Sequence, residues 1–205
     1  MNEDVLRHLW PHGDAVVPGL IEGIVASASV VFPKYRLDDN LTVAHAMAQF
    51  SHECDAGLEM IENLNYSADG LIRTWPTRFD SDRAIRYAHQ PHRIADAVYN
   101  GRMGNALNSD DGWNFRGRGL SQVTGRYGYQ KLAEETGLDL INQPELVNDP
   151  EHALECGVAD FVLCGCLPFA EADDVEHVTL KLNGGLIGFA ERKAWLARWK
   201  QALES

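Results

Sequence analysis

Residues 51–67 read SHECDAGLEMIENLNYS: His52 stands beside Glu53, and Asp55, Glu59 and Glu62 follow within nine positions. Four carboxylates this close repel one another unless they face water, hold a cation, or divide one reaction between a proton donor and a proton acceptor. A solvated helix face is the commoner fate of such a cluster. The other chemical groups of the chain bear on which of the three applies.

A zinc-protease reading of His52-Glu53 needs a second histidine four residues on, and position 56 is alanine. A serine nucleophile would sit in a G-x-S-x-G elbow, which the chain lacks, and Cys54 has no identifiable partner base. Cys156, Cys164 and Cys166 follow a C-x7-C-x-C spacing without a nearby fourth ligand, so they read as buried small residues. No metal and no cofactor is expected. A working pair of carboxylates remains, and helix geometry restricts it. In one unbroken helix, nine steps of 100° set Glu53 and Glu62 on opposite faces, about 13.5 Å apart along the axis. For both to face one cleft the chain must turn after Gly57, and ENLNYSADG has the Asn, Ser, Asp and Gly to do so.

The elements that would hold such a pair read as mostly α-helical with little strand. Residues 14–32 suggest one or two short helices ending near Pro33. Thr42 is placed to cap the next helix, in which Val43, Met47 and Phe50 recur at helical spacing among alanines; this is the expected central buried helix. Two short helices follow, the second opening near Pro91 and closing before Gly101. A Gly-rich polar segment, DGWNFRGRGLSQVTGRYGYQ, reads as a loop or short strand entering a helix. Asp149 is expected to cap the helix in PEHALECGVADFVLCG, and Phe189, Trp195, Leu196 and Trp199 mark the apolar side of a C-terminal helix.

At 205 residues the chain can bury roughly 70% of its unfolded surface, enough for a true core. With 18 basic against 30 acidic residues, its net charge of −12 works against binding nucleic acid or an anionic membrane by bulk attraction. No apolar run approaches the ~20 residues of a membrane span. The acidic amino terminus, interrupted by Pro11, His12 and Gly13, does not read as an export signal, so reduced cysteines are expected.

Four separated stretches, AHAMAQFSHECDAGLEMIENLNYSADGLIRTWPTRF, YNGRMGN, DGWNFRGRGLSQVTGRYGYQKLAEETGLDL and INQPELVNDPEHALE, together with a late LNGGLIGF, resemble the family 19 glycoside hydrolases in their bacteriophage endolysin branch. The likeness runs from about residue 41 to 189. It implies a lysozyme-like, mainly α fold split by a glycan cleft, and hydrolysis with inversion by a carboxylic acid and a carboxylate on opposite sides of the sugar. Carried onto this chain, it makes Glu53 the general acid, Glu62 the general base, and Thr124 the hydroxyl that helps hold the water. It also places Asn65, Tyr66, Gln122, Tyr127 and Asn183 against the substrate, where amides and phenols suit sugar hydroxyls and N-acetyl groups. The apolar neighbours Ala46, Met47 and Phe50 would keep Glu53 protonated, while Glu62 beside Asn63 and Asn65 would stay ionised. His52 is expected to pack, and Asp55 and Glu59 to be solvated.

Plant chitinases of this family carry a longer segment between the glutamates and disulfide-forming cysteines, and the short step here favours peptidoglycan over chitin. The expected activity is therefore that of a muramidase-like endolysin causing host-cell lysis; a chitinase and an inactive glycan-binding protein are the alternatives. One catalytic domain over 1–205 is expected, with residues 1–40 a helical extension packed on a 41–205 core. Its partner would be the glycan strand, with no nucleic acid and no membrane. A monomer is expected to wait in the bacterial host cytoplasm until a separate pore-forming protein gives it access to the periplasm and wall.

Overall fold

The computed structural model describes residues 1–204, and its backbone is helical with almost no strand. In chain order the helices are α1 (Glu3–Leu9), α2 (Leu20–Lys34), α3 (Asn40–Glu53), α4 (Ala68–Thr74), α5 (Ser81–Tyr87), α6 (Pro91–Tyr99), α7 (Asp111–Asn114), α8 (Arg126–Thr136), α9 (Ala153–Leu163), α10 (Leu167–Glu171), α11 (Val175–Asn183) and α12 (Phe189–Glu204). Extended pairing among the described residues is limited to isolated antiparallel bridges, Ile61 with Arg118 and Arg118 with Val123.

α3 is the axis of the molecule. Every residue from Thr42 to Ser51 is buried, and Ala44, Ala46 and Ala48 on its surface let neighbouring helices come close. α12 runs along it, with α9, α10 and α11 also against it. A single hydroxyl ties three parts of this layer together. Ser51 Oγ accepts the indole N–H of Trp10 and that of Trp199, each at 2.8 Å, and donates to the Met47 carbonyl at 2.7 Å. Its full hydrogen-bonding capacity is used in the core. Leu6, Trp10, Leu20, Ile21 and Ile24 belong to the same apolar cluster, so the first helices share the core that α3 organises.

A second, smaller cluster made of Leu64, Leu71, Phe79, Ala84, Ile94, Ala95 and Val98 lies under α4, α5 and α6. The chain passes from one cluster to the other between Met60 and Leu64, and returns between Trp113 and Phe115. Glu62 therefore sits on the seam between two lobes.

Two caps differ from the sequence reading. Asp39, not Thr42, caps α3: its carboxylate accepts the Thr42 N–H at 2.7 Å, and the Thr42 hydroxyl turns back onto Asp39. A carboxylate out-competes a hydroxyl for the free amides of a first turn. Asp149 closes the short 3-10 turn Pro144–Asn148 and accepts from Glu151 N, whereas α9 starts at Ala153 with no side-chain cap. Pro33 falls inside the last turn of α2. On the C-terminal helix the fully buried positions are Arg192, Leu196 and Trp199, with Phe189 and Trp195 half-buried.

Ser51→Ala should strand two buried indole N–H groups, at about 1–3 kcal/mol each. We expect the melting temperature to fall by roughly 5–15 °C, and a fall below about 2 °C would contradict this role for Ser51.

Candidate active site

Glu53 is the last residue of α3. The helix stops there, four residues before the glycine expected to break it, because Asp55, Ala56 and Gly57 all take left-handed backbone angles, with φ of 44°, 52° and 93°. For the two non-glycine residues this conformation costs about 1–2 kcal/mol apiece. Close packing holds it: a Cβ on Gly57 would come within 2.8 Å of Gly13 Cα and O. The Cys54 carbonyl takes the N–H of both Gly57 and Glu59, closing the turn. Asp55 and Glu59 are exposed on it.

The Glu53 carboxyl does not meet the apolar setting expected of it. Arg192, 1% exposed, donates from Nη2 to Glu53 Oε1 at 2.6 Å, from Nη1 to Gln49 Oε1 at 2.5 Å and from Nε to the Ile187 carbonyl at 3.1 Å. Gln49 is itself held by Thr179 of α11. Glu53 is thus fixed through one oxygen, leaving Oε2 for other partners. His52 packs against the loop before α12, where a Cβ on Gly188 would fall 2.1 Å from its Nε2. Burial first, then the Arg192 charge, pushes the His52 imidazole below its ordinary range and keeps it neutral.

Glu62 is held differently. The Tyr99 hydroxyl at the end of α6 donates to Oε1 at 2.6 Å, the Gly117 amide donates to Oε2 at 3.2 Å, and the Glu62 amide donates to the Gly117 carbonyl at 2.9 Å. Burial, then the charge and hydrogen bond of Glu62, drives the Tyr99 phenol far above its ordinary range, so it stays a donor. Gly117 is where the polar groups converge: a Cβ there would lie 3.0 Å from Gln122 Oε1, 3.3 Å from Glu62 Cβ and 3.3 Å from Thr124 Oγ1. Thr124 Oγ1 donates to the Gln122 carbonyl at 3.0 Å. Gln122 takes a left-handed φ of 55° and donates from Nε2 to the Glu59 carbonyl at 2.8 Å.

A cleft of about 490 Å³ opens here, lined by Leu58, Glu59, Ile61, Glu62, Asn63, Tyr66 and Gln122. Of the residues expected from sequence, Glu62, Tyr66 and Gln122 line it, and Thr124 adjoins it. Glu53 is not among its lining residues. Burial pushes the Asp160 carboxyl upward, a Ser121 hydrogen bond opposes the shift, and the Glu53 charge adds to it. Asn183 ends α11, in the loop that leads to Gly188 and His52, and donates to the Gly185 carbonyl at 3.3 Å. Asn65 and Tyr127 are not brought in. Asn65 Oδ1 faces His89 Nδ1 at 3.0 Å, and the Tyr127 ring, 63% exposed, lies over Gly104.

Arg192 and Tyr99 went unpredicted. Arg192 had a readable signal: it falls at i, i+4, i+7 with Leu196 and Trp199, a charge on an apolar stripe. Tyr99 had none beyond its place at the end of an amphipathic helix. Two groups of three metal-capable side chains occur among the described residues, His92, Asp96 and Asp110, and Asp149, Glu151 and His152. Neither includes Glu53 or Glu62, nor any cysteine.

Tyr99→Phe removes a donor to Glu62 while keeping the ring, and should lower kcat by about tenfold while lowering the melting temperature by no more than roughly 10 °C. A full-rate variant would show the phenol to be idle. His52, with its folded-state proton affinity depressed, contributes stability that is present above about pH 6.5 and is lost as the pH falls through its lowered value. His52→Gln should therefore flatten the loss of unfolding free energy between pH 7 and 5.5, and an undiminished slope would remove His52 from that account.

No protein-family model matches the chain. A Haemophilus influenzae protein described as a glycosyl hydrolase family 19 domain-containing protein is 36% identical over 180 residues, covering 86% of this chain and 88% of that protein. Among solved structures, a mutant of chitinase C aligns over 100% of this chain and 93% of its own at TM-score 0.65 and 15% identity. Chitinase C from Streptomyces griseus HUT6037 covers 100% and 92% at TM-score 0.61 and 16% identity. A bacterial family 19 chitinase covers 98% and 94% at TM-score 0.61 and 19% identity. These structural likenesses establish the mainly helical, lysozyme-like fold.

Proposed function

The chain belongs to glycosyl hydrolase family 19 and is a glycoside hydrolase, and from that premise we propose that it is an endolysin that cleaves the glycan strands of bacterial peptidoglycan with inversion. Glu53 is the general acid, Glu62 the general base, and Thr124 helps hold the attacking water. The observation that carries this reading is the convergence at Gly117: its amide donates to the Glu62 carboxylate, and the Thr124 hydroxyl and the Gln122 amide oxygen close on the same backbone position beside an open cleft. A water there meets an acceptor, a hydroxyl and an amide, which is what activation by a base requires.

The contrast between the two carboxyl groups supports their division of labour. Glu62 accepts hydrogen bonds at both oxygens, from Tyr99 and Gly117, and these fix its plane for proton abstraction. Glu53 is anchored at Oε1 alone by Arg192, so Oε2 is left to carry a proton to the leaving oxygen. Gln122, Tyr66 and Asn183 supply amide and phenol groups for the glycan. Chitin is the competing substrate, since the solved structures of like fold are chitinases. The protein works as a monomer and, as an endolysin, reaches the wall from the cytoplasm through a pore made by another protein.

The test is lytic rate on outer-membrane-permeabilised bacteria beside hydrolysis of soluble chitin oligomers, with melting temperature as the control on folding. Glu53→Gln and Glu62→Gln should each lose on the order of 10²-fold or more. Thr124→Ala should lose less, and Glu59→Gln and Asp55→Asn should stay near wild type. If Glu59→Gln is as damaging as Glu53→Gln while Glu62→Gln keeps its rate, the turn after Glu53 presents a different base. Cleavage of chitin oligomers without lysis would turn the substrate assignment to chitin.

A further inference from the structure

The charge of this chain is unevenly spread. Residues 64–114 hold six arginines and six aspartates, a balance of zero, so the whole net charge of −12 lies outside them. Between positions 83 and 102 the chain holds four arginines (Arg83, Arg86, Arg93, Arg102) and one carboxylate, Asp96, with Asp82 and Asp110 just outside that stretch. No arginine from Arg73 to Arg102 has a carboxylate partner within 4.0 Å among the described residues, although Arg73, Arg86, Arg93 and Arg102 are exposed. Elsewhere Arg7, Lys34, Arg36, Arg126, Arg192 and Lys200 each pair with an acid, Arg126 with Asp111 of this same lobe.

Two of these unpaired guanidiniums are organised. Arg83 and Arg93 both lie over the Tyr87 ring, at 5.3 and 4.5 Å from its centroid. Together with Asn100, Asn108 and Ser109 they line an open cavity of about 400 Å³. Asp96 also borders it, but its Oδ1 accepts the Trp113 amide and its other oxygen is turned to His92. The cavity lies along α6, the helix whose last residue, Tyr99, holds Glu62; from Arg93 to Tyr99 the rise is about 9 Å. The cavity and the cleft share no lining residue; α6 is the element common to both, carrying Arg93 and Asn100 to the cavity and Tyr99 to Glu62.

We propose that the Arg83–Arg93 face docks the carboxylates of peptidoglycan stem peptides, holding an acidic wall strand beside the cleft. This deepens the peptidoglycan reading and rests on it. Guanidinium suits the partner because it pairs with carboxylate in a planar, two-bonded fashion and does not lose its charge. An otherwise acidic protein would repel the same strand elsewhere, so this lobe also sets the side from which the wall is approached. Neutral chitin would draw nothing from it.

The experiment compares purified sacculi with sacculi whose carboxylates have been converted to primary amides. Initial rates are measured for the wild type, Arg93→Gln and Arg83→Gln/Arg93→Gln, with melting temperature recorded for each; the single variant guards against loss of the Arg83 hydrogen bond to the Arg78 carbonyl. On native sacculi the double variant should be slower by about tenfold and the single variant by less, whereas on amidated sacculi all three should agree within about twofold. Equal losses on both substrates, or no loss on native sacculi, would overturn the docking face while leaving the substrate reading in place. A wild type that cleaves chitin oligomers but neither wall preparation would overturn both.

Discussion

A guanidinium cannot shed its charge inside a protein, and Arg192 stands 1% exposed between α12 and α3. That burial is tolerable only if the surroundings answer it, because an unpaired buried cation costs several kcal/mol. Glu53, Gln49 and the Ile187 carbonyl answer it with three acceptors. Much else follows from this arrangement. The C-terminal helix must lie along α3 in one register, Glu53 must sit at the end of α3 and point its carboxyl at α12, and the loop before α12 must return past His52. The proposed acid is therefore positioned by the same contact that docks the last helix onto the core.

The proposed base is governed by a different constraint. Glu62 lies on the short crossing between Met60, which belongs to the large apolar cluster, and Leu64, which belongs to the small one. Its partners come from the return path, Gly117 by backbone, and from the small lobe, Tyr99 by side chain. Moving one lobe against the other would disturb Glu62 before it disturbed Glu53. The left-handed run from Asp55 to Gly57 separates the two environments, and its strain is held by packing against Gly13. One glutamate is thus tied to the rigid α3–α12 layer and the other to the seam.

What was legible in the sequence follows the reach of local rules. The buried central helix was readable because Val43, Met47 and Phe50 repeat at helical spacing, and the need for a turn between Glu53 and Glu62 follows from 100° per residue. The helix ends at Glu53, within a few residues of Gly57 as the sequence leads one to expect, but the left-handed angles of Asp55 and Ala56, and the packing of Gly57 on Gly13 more than 40 residues upstream, are not announced by composition. The partners of the two carboxylates are also remote: Arg192 is 139 positions from Glu53, and Tyr99 is 37 from Glu62. Spacing rules carry no information at that range. Asn65 fits the pattern of a cleft residue by its neighbours in sequence, but a nearby histidine, His89, takes its amide oxygen.

The central claim is that Glu53 and Glu62 act as acid and base around a water, with no covalent glycosyl-enzyme stage. The anomeric configuration of the newly formed reducing end, followed by proton NMR in the first minutes of cleavage of a β-linked oligomer and before mutarotation, reports on this directly. Initial appearance of the α-anomer is the result expected. Initial appearance of the β-anomer, the mark of retention, would contradict the account.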